Sequence, residues 1–573
     1  MAPRLESASR LQFIPQHEPF PSPRDWRDQF IYFLLVDRFD DNGDGTPMYD
    51  PATVRRDRDA SGGSTFQGGN LKGATRRLDY IRGLGCTAIW LSPVLKNRIE
   101  KDDSYHGYAI QDFLDVDPRF GTLSDLQELV RQAHARDMYV IMDVVINHTG
   151  DNWAYPGDFP YYYWREAQSP FPFGHWREAD PTPGFQPDDA VWPSEFQSPD
   201  CYKRRGQIRD WNDPEQALNG DFLSLKELDT RDPLVLDTLI KAYKHWIAAA
   251  DVDGFRVDTV KHTEQSSTAI FCNAVREYAK RAGKHNFFIF GEIVGDDRTL
   301  HSYLGRNSRI PGTNERFPSL DAALDFPLYF VLEETIKGFT GPRQLVERYE
   351  RFKTQYADHG EASRYFVTFV DNHDQIGRGH KRFMHQDPFP QQAVLAIGYL
   401  LTSQGIPCLY YGTEQGFDGG GDNDRFIREC MFGGSWGAFE TTGVHFFNRE
   451  HPIYVGIAEV AKVRAKEPAL RYGRQYFRET SADGVSFAFP DSGRCTLAFS
   501  RILDTDEVLV AMNLDALPRE DHITVDRDLT PPGCELMDLL NGGTRQVVAE
   551  VDGRAFVRVP LAGHQMAILK RAI

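Results

Sequence analysis

The sequence predicts an α/β protein: an eight-stranded (β/α)8 barrel, a domain inserted after the third strand, and an antiparallel β-sandwich in the last part of the chain. Three observations predict this architecture. Nearly continuous apolar strands alternate with helices, which is typical of a parallel sheet covered on both faces. The alternation stops at residue 149 and resumes after residue 230. From about residue 471, short strands between turns replace it, as in an antiparallel sandwich.

Strand and helix units follow one another along the barrel region. Strands are predicted at residues 30–36, 88–91, 138–146, 252–257, 287–290, 324–326, 365–370 and 408–411. Helices are predicted at residues 71–84, 122–136, 232–250, 264–282, 343–356 and 453–466. Eight strands of this kind close into a TIM barrel rather than remaining an open sheet.

The domain boundaries follow from the same changes of pattern. Residues 1–28 are rich in proline and polar residues and are predicted to form an N-terminal extension on the surface. Residues 149–230 are too long and too aperiodic for an ordinary connection, so we predict an inserted domain there. The remaining predicted units are the barrel at 29–148 and 231–470, and the sandwich at 471–573 with strands at 485–489, 496–499, 508–512 and 566–569.

The composition narrows the class of partner. The 573 residues carry a formal net charge of −18, which argues against nucleic acid and anionic lipid and is compatible with a neutral substrate. A mean hydropathy of −0.49, with no apolar run long enough to cross a bilayer, predicts no membrane span. The first residues lack the apolar segment of a secretory signal, and the seven cysteines show no C-x-x-C spacing. We therefore expect a cytoplasmic location, with secretion by another route left open.

Acidic residues follow several of the predicted strands. In a barrel of this kind, the ends of the strands and the loops after them form the active site. Clustered carboxylates repel one another, so their repeated occurrence at this end of the barrel is hard to explain by packing alone. They occur in Asp143-Val144-Val145-Ile146-Asn147-His148, in Arg256-Val257-Asp258, in Gly291-Glu292 and in Asp371-Asn372-His373-Asp374.

The fourth strand brings an arginine and an aspartate together. Side chains alternate along a strand, so Arg256 and Asp258 lie on the same face. The guanidinium is expected to hold Asp258 ionised and to orient it as a nucleophile. An internal ion pair without a catalytic role is the alternative. Converging carboxylates without a cysteine or histidine nucleophile favour the cleavage of glycosidic bonds.

Four segments now show a resemblance to a known family. The sequences DVVINH at 143–148, GFRVDTVKH at 254–262, GEIV at 291–294 and FVDNHD at 369–374 resemble the four short motifs of the α-amylase family, glycoside hydrolase family 13, in the family's order. The resemblance covers roughly residues 28–570. It implies a retaining hydrolase of α-1,4-glucosidic bonds in maltooligosaccharides or starch-like glucans. The alternatives are a transglycosylase of the same family, either a glucanotransferase or a maltose-isomerising enzyme, and a non-catalytic amylase-like binding protein.

The resemblance also implies roles for individual residues. Asp258 is the expected nucleophile, Glu292 the general acid/base and Asp374 the residue that stabilises the transition state. In a retaining enzyme, the carboxyl groups of the first two are expected to lie about 5–5.5 Å apart. The expected supporting residues are Arg256 to position Asp258, His148 and His373 to bind sugar hydroxyls, and Asp143 behind the site.

Further residues are expected to contact the glucan. Tyr108, in the segment Tyr105-His106-Gly107-Tyr108, is expected to stack on the sugar that is cleaved, and a buried core tyrosine is the alternative. Lys261 and His262 are expected on the acceptor side. In the loop after the eighth strand, Arg428 and one of Asp422 and Asp424, of which we choose Asp422, are expected at donor subsites. Aromatic residues of the inserted domain are expected either to stack on glucose rings or to form its core.

Two segments predict calcium sites. Asp40, Asn42 and Asp44 offer oxygen ligands at alternate positions, although the twelfth position is Pro51 and the loop is therefore not an EF-hand; a polar turn without metal is the alternative. The resemblance implies a second site between the barrel and the insert, formed by Asn147, Asp229 and the carbonyl of His262. A fourth protein ligand is not evident. The neighbouring segment 223–229 lacks the proline usual in the family's fifth motif, which leaves the fine specificity open.

Overall fold

The structure is a computed structural model. It describes residues 5–15, 18–43, 48, 62–98, 102–157, 162–164, 170–177, 190–305, 308–309, 316–355, 361–434 and 436–572. Asp44 of the first predicted calcium loop lies outside these residues. In the described part of the chain, none of the helices combines the length and the apolar character needed to cross a lipid bilayer.

Eight parallel strands close into a barrel, which confirms the predicted fold class. Around the barrel the strands run in the order β1-β8-β7-β6-β5-β4-β3-β2 and then return to β1. They are β1 Ile31–Leu34, β2 Ala88–Leu91, β3 Tyr139–Val144, β4 Gly254–Val257, β5 Phe288–Gly291, β6 Ala322–Leu324, β7 Phe366–Thr368 and β8 Ile406–Tyr410. Nearly all their residues are buried, because the barrel interior and the surrounding helices cover both faces.

Helices cover the outside of the barrel. The longer ones are Leu123–His134, Pro233–Ala250, Gln265–Arg281, Asp297–Tyr303, Phe326–Ile336, Arg343–Gln355, Pro390–Thr402 and Pro452–Lys466. Several of them begin with proline at the first or second position, where its missing N–H costs no hydrogen bond. The sixth strand ends earlier than predicted, because Asp325 caps a helix that starts at Phe326.

The helix predicted at residues 71–84 is wrong in one respect. It is divided into Leu71–Arg76 and Leu78–Gly83, and Arg77 between them has φ −96° and ψ 4°. Arg76 and Arg77 both reach Asp40, with Nη2 of Arg76 2.7 Å from Oδ1 and Nε of Arg77 2.5 Å from Oδ2. A tertiary ion pair therefore accompanies the break, and the helical periodicity of the segment does not reveal it.

Residues 149–230, which we call the long connection, run from β3 to the helix Pro233–Ala250. Their described part contains little regular structure: the α-helix Pro214–Asn219, the short 3-10 helices Ser194–Gln197 and Pro199–Cys201, and two short antiparallel pairs. One pair joins His148–Thr149 to Lys226–Glu227, so the end of the connection returns beside its beginning. The boundaries of a separate inserted domain stay a prediction.

Two antiparallel sheets follow the barrel, as predicted. The larger sheet contains Arg474–Phe477, Thr496–Leu503, Asp506–Asn513, Met566–Arg571, Glu535–Asp538 and Arg545–Val547. The smaller sheet contains Thr480–Ser481, Arg519–Thr524, Arg554–Leu561 and Ala549–Val551. The strand predicted at 485–489 is wrong: the segment contributes only an isolated bridge between Ala488 and Thr480, and its apolar residues Val485 and Phe489 are exposed.

The N-terminal extension packs against the barrel. Trp26 stacks on Phe288 of β5, with ring centroids 4.7 Å apart and an interplanar angle of 16°, and its Nε1 donates to the carbonyl of Asn286. Farther out, Ser7 donates to Glu195 of the long connection at 2.6 Å. The extension therefore joins the barrel to the long connection.

Candidate active site

Arg256 lies at the centre of a charged cluster inside the barrel. Strand alternation turns it inward from β4, in register with Asp143 on β3. Its Nη1 lies 2.7 Å from Asp258 Oδ1 and 3.0 Å from Asp143 Oδ1, and its Nη2 lies 3.1 Å from Glu292 Oε2. One guanidinium therefore contacts acidic residues from three neighbouring strands. The distance of about 5–5.5 Å between the carboxyl groups of Asp258 and Glu292 stays a prediction.

Asp143 lies behind this cluster, as expected. It is fully buried and accepts hydrogen bonds from Trp90 Nε1 at 3.0 Å and from the Tyr108 hydroxyl at 2.9 Å. These donors and Arg256 fix its carboxylate, and through the shared guanidinium they fix the position of Asp258. The role of Trp90 could not be predicted from the sequence, because it lies in the middle of an ordinary apolar strand.

The backbone places Asp258 and Glu292 directly past the strand ends. Asp258 N donates to Val144 O at 2.9 Å and Glu292 N donates to Val257 O at 2.9 Å, which extends the strand pairing by one residue in each case. Thr259 then takes a left-handed conformation, with φ 47°, and its N–H donates to Glu292 Oε2 at 3.2 Å. The turn after β4 therefore also holds the carboxylate that follows β5.

Asp374 approaches from the loop after β7. Its backbone N–H donates to Asn372 Oδ1 at 2.9 Å, and its carboxylate accepts from Arg428 Nη2 at 2.8 Å. Arg428 comes from the loop after β8 and also donates through Nε to the carbonyl of His373 at 2.9 Å. The two loops are thus held together by one arginine, with the side chain of Asp374 30% exposed toward the cavity.

A cavity of about 630 Å³ brings most of the predicted residues together. The predicted residues that line it are Tyr108, His148, Asp258, Lys261, His262, Glu292, His373, Asp374 and Arg428. Arg256 lies beneath them and is fully buried. The alternation of strand residues and the loops at one end of the barrel therefore produce a single acidic site, as the sequence predicts.

Asp422 does not line the cavity, and its place at a donor subsite stays a prediction. Its side chain is 80% exposed and pairs with Arg425 at 3.1 Å, so it does not contribute to the cavity wall. Asp424 lines the cavity instead, with Oδ2 3.2 Å from Arg428 Nη2 and Oδ1 3.1 Å from His380 Nδ1. The reason is local: Asn423 caps a short turn of helix that begins at Asp424 and turns this side chain inward.

Tyr108 is a buried tyrosine whose ring also faces the cavity. It is buried, with 8% exposure, and it also lines the cavity. Its ring stacks on His373, with centroids 5.4 Å apart and an interplanar angle of 10°, and lies near His106 at 5.7 Å. A row of flat side chains therefore forms one wall of the cavity.

The carboxyl groups differ in acidity. Burial raises the pKa of Asp258 to about 6, against the opposing charge of Arg256. Burial, with the charges of Asp258 and Asp374, raises the pKa of Glu292 to about 8 although Arg256 opposes this too. The expectation that Arg256 holds Asp258 ionised therefore applies only above about pH 6. Between these values Asp258 is ionised and Glu292 protonated, as a nucleophile and a general acid require.

The histidines of the cavity are neutral at neutral pH. Burial lowers the pKa of His106 and His148 to about 3 and that of His262 to about 4. Burial also lowers the pKa of His373 well below its ordinary value, and the nearby arginines add to the effect. A neutral imidazole has one N–H donor and one acceptor, so each of these rings can pair with a hydroxyl group.

Two aromatic residues of the long connection were not predicted individually. Trp211 is 39% exposed at the cavity, and its ring packs against Phe222 at 4.9 Å and His262 at 5.8 Å. Phe222 packs on His148 from the other side at 6.0 Å. An aromatic ledge of Trp211 and Phe222 thus lies beside Lys261 and His262. The many aromatics of this segment indicated such a surface, but no spacing singled out these two.

The predicted calcium ligands are engaged by the protein itself. Asp40 is paired with Arg76 and Arg77, and Asn42 is exposed. Asn147 donates its amide to Glu227 at 2.7 Å, and Asp229 pairs with Arg231 at 2.7 Å. Within the described ranges, no three His, Cys, Asp or Glu side chains are arranged to hold a metal ion. The described residues do not fit a calcium ion at either predicted site, because the two predicted carboxylate ligands, Asp40 and Asp229, already face guanidinium groups.

Fold and site together define a class, the eight-stranded α/β barrels with acidic residues around a cavity at one end. The family model for the alpha amylase catalytic domain matches residues 33–431, so the chain belongs to the α-amylase family. It is 32% identical over 550 residues to an alpha-amylase of Streptomyces lividans, with 88% of this chain and 57% of that protein covered. It therefore spans little more than half of that relative.

Two further comparisons agree with this assignment. The chain is 26% identical over 534 residues to a cyclomaltodextrin glucanotransferase of Klebsiella oxytoca, with 87% of this chain and 72% of that protein covered. The crystal structure of an alpha-amylase from Geobacillus thermoleovorans, complexed with acarbose, superposes with a TM-score of 0.69 at 28% identity. That comparison covers 96% of this chain and 100% of the other. The relatives thus include both a hydrolase and a transferase.

Proposed function

We propose that the protein is a retaining glycoside hydrolase that cleaves α-1,4-glucosidic bonds in maltooligosaccharides or starch-like glucans. One observation carries this proposal: Asp258 and Glu292 contact the same guanidinium and face the same cavity, with their pKa values at about 6 and about 8. Such a pair, one ionised and one protonated, is what the double displacement of a retaining enzyme needs.

The proposed reaction has two steps. The ionised Asp258 attacks the anomeric carbon, while Glu292 gives its proton to the oxygen of the leaving sugar, so that a covalent glycosyl-enzyme forms. Glu292, now ionised, takes a proton from water as the water attacks the anomeric carbon and releases Asp258. Asp374, held by Arg428, stabilises the positive charge that develops on the sugar ring.

The proposed sugar contacts follow the cavity wall. His148 and His373 are neutral and can hydrogen-bond hydroxyls of the ring that is cleaved. Arg428 and Asp424 are proposed to bind the donor side, and Tyr108 to pack against the sugar. The aromatic ledge, together with Lys261 and His262, is proposed to hold the acceptor or leaving group.

A transglycosylase is the second candidate, and the aromatic ledge favours it. A sugar stacked on Trp211 and Phe222 can compete with water for the glycosyl-enzyme. Asp258 and Glu292 then transfer the glycosyl group to a hydroxyl of that sugar instead of to water. Incubation with maltotetraose distinguishes the two. If all products are shorter than the substrate, the result supports hydrolysis. Products longer than the substrate support transfer.

The variant Glu292→Gln tests the proposed chemistry. It keeps the size of the side chain and removes the proton that Glu292 donates, so turnover of maltotetraose should fall by about 10²–10⁴-fold. Binding of the same sugar, measured by calorimetry, should change little, because the cavity is intact. Substantial remaining turnover would remove Glu292 from the acid/base role. A non-catalytic binding protein would instead show no turnover even before the substitution.

A further inference from the structure

A buried lysine lies where the long connection meets the barrel. The side chain of Lys203 is 1% exposed. Its Nζ donates to the carbonyl of Leu218 and lies 3.4 Å from Glu227 Oε1 and 3.5 Å from Glu264 Oε1. Leu218 and Glu227 belong to the long connection, whereas Glu264 directly precedes the barrel helix Gln265–Arg281. One ammonium group therefore contacts both parts of the chain.

The same ammonium lies among the residues for which the sequence predicts calcium. Asn147 donates Nδ2 to Glu227 Oε2 at 2.7 Å, and the other oxygen of this carboxylate faces Lys203. Asp229 Oδ1 lies 2.7 Å from Arg231 Nε, and the same nitrogen lies 3.6 Å from Glu264 Oε1, which also faces Lys203. Asp229 thus pairs with a cationic side chain directly, and Asn147 is linked to one through the carboxylate of Glu227.

The donor chemistry of this junction does not suit a divalent cation. Calcium needs oxygen atoms turned toward it. Asn147 turns its Nδ2 to Glu227, and its Oδ1 accepts from the Thr263 hydroxyl at 3.5 Å. Asp229 Oδ1 is turned to Arg231 Nε at 2.7 Å. Glu264 is shared between Lys203, Arg231 at 3.6 Å and the hydroxyl of Thr230 at 3.0 Å. The carboxylates are therefore already paired, and a calcium ion would bring two further positive charges beside the buried ammonium of Lys203 and the exposed guanidinium of Arg231.

We infer that Lys203 performs the structural task for which the sequence predicts calcium at this junction: its ammonium holds the long connection against the barrel. The junction then needs no divalent cation, although members of the α-amylase family typically bind calcium. The consequence reaches the cavity, because the long connection carries Trp211 and Phe222. The inference concerns attachment of this segment and is independent of the proposed chemistry.

The first test uses the full-length protein. The protein is treated with EGTA, and its calcium content, its Tm and the trypsin cleavage of residues 149–230 are compared with those of an aliquot in millimolar calcium. We expect a Tm difference below about 1 °C and the same cleavage pattern, since an ion that does not bind this junction cannot stabilise it by mass action. Bound calcium whose removal lowers Tm and opens the long connection to trypsin would overturn the inference.

The second test uses Lys203→Ala with a matched control. Lys226→Ala also removes a buried cation of the long connection, one that pairs with Asp151 at 2.9 Å rather than with the predicted calcium ligands. Both variants should lose several degrees of Tm, but only in Lys203→Ala should millimolar calcium restore much of the loss, because Glu227 and Glu264 are then left without the ammonium. A wild-type Tm in Lys203→Ala, or equal losses without calcium recovery, would contradict the inference. The chelation result on the natural chain decides it even if Lys203→Ala does not fold.

Discussion

Replacing Arg256 by methionine tests how the protein sets the acidity of its two reacting carboxyls. The guanidinium lies 2.7 Å from Asp258 and 3.1 Å from Glu292 and lowers the pKa of both. Two unit charges about 4 Å apart at an effective dielectric constant of about 20 interact by about 4 kcal/mol. At about 1.36 kcal/mol for each pH unit, the loss of the cation raises each pKa by up to about three pH units.

The expected result is a shift of the whole pH profile. In the natural chain, activity should require Asp258 ionised above about pH 6 and Glu292 protonated below about pH 8. In Arg256→Met both limits move to higher pH, so kcat/KM at pH 7 falls by about 100-fold through ionisation alone and partly recovers in alkali. The assay is kcat/KM on a chromogenic maltooligosaccharide between pH 4 and 10, with circular dichroism to confirm folding.

A charge-matched variant provides the control. Lys261→Met also removes a positive charge from the cavity wall, but Lys261 contacts neither carboxylate in the described ion pairs. Its acid limit should stay within about half a pH unit of that of the natural chain. An unchanged acid limit in Arg256→Met, or an equal shift in both variants, would refute the role of Arg256 in setting these pKa values.

Three further predictions follow from the cavity wall. Tyr108→Phe removes the hydroxyl that donates to Asp143, and kcat/KM should fall about tenfold; an unchanged value would contradict this. Trp211→Ala removes half of the aromatic ledge and should raise KM for maltotetraose about threefold to tenfold, with transfer products reduced more than hydrolysis products. His148→Gln tests a stability effect. The pKa of His148 is about 3 in the folded protein and about 6.5 in the unfolded chain, so the unfolded chain takes up the proton first as the pH falls. The free energy of unfolding that is present above pH 6.5 therefore decreases as the pH falls below it. The natural chain should therefore lose about 2 kcal/mol more than the variant between pH 7 and pH 5, seen as a steeper fall of Tm.

The sequence predicts the barrel and the core of the site well for a physical reason. A strand buried on both faces must be continuously apolar, so β1, β3 and β8 can be recognised from composition alone. Parallel strands end at one rim, so Asp258, Glu292 and Asp374 meet although they are far apart in the chain. Their convergence follows from topology and needs no information about loops.

The features that the sequence did not predict depend on loops and on long-range partners. Asp422 and Asp424 stand in the same polar run, and only the local turn decides which of them reaches Arg428. Lys203 lies in an aperiodic segment, and its partner Glu264 belongs to the barrel. Arg77 interrupts a helix with good periodicity, and its guanidinium pairs with Asp40 at the break. In each case the deciding contact is tertiary, and local spacing contains no sign of it.

Trapping the glycosyl-enzyme tests the central claim most directly. The protein is incubated with a 5-fluoro-α-glucosyl fluoride. The fluorine at C5 slows breakdown of the intermediate, and the fluoride at the anomeric carbon is a good leaving group that needs no proton from Glu292. Digestion and mass spectrometry then locate the sugar. The peptide that contains Asp258 should carry one hexosyl adduct, and Asp258→Asn should carry none. An adduct on another carboxylate, or full inactivation without an adduct on Asp258, would contradict its assignment as the nucleophile.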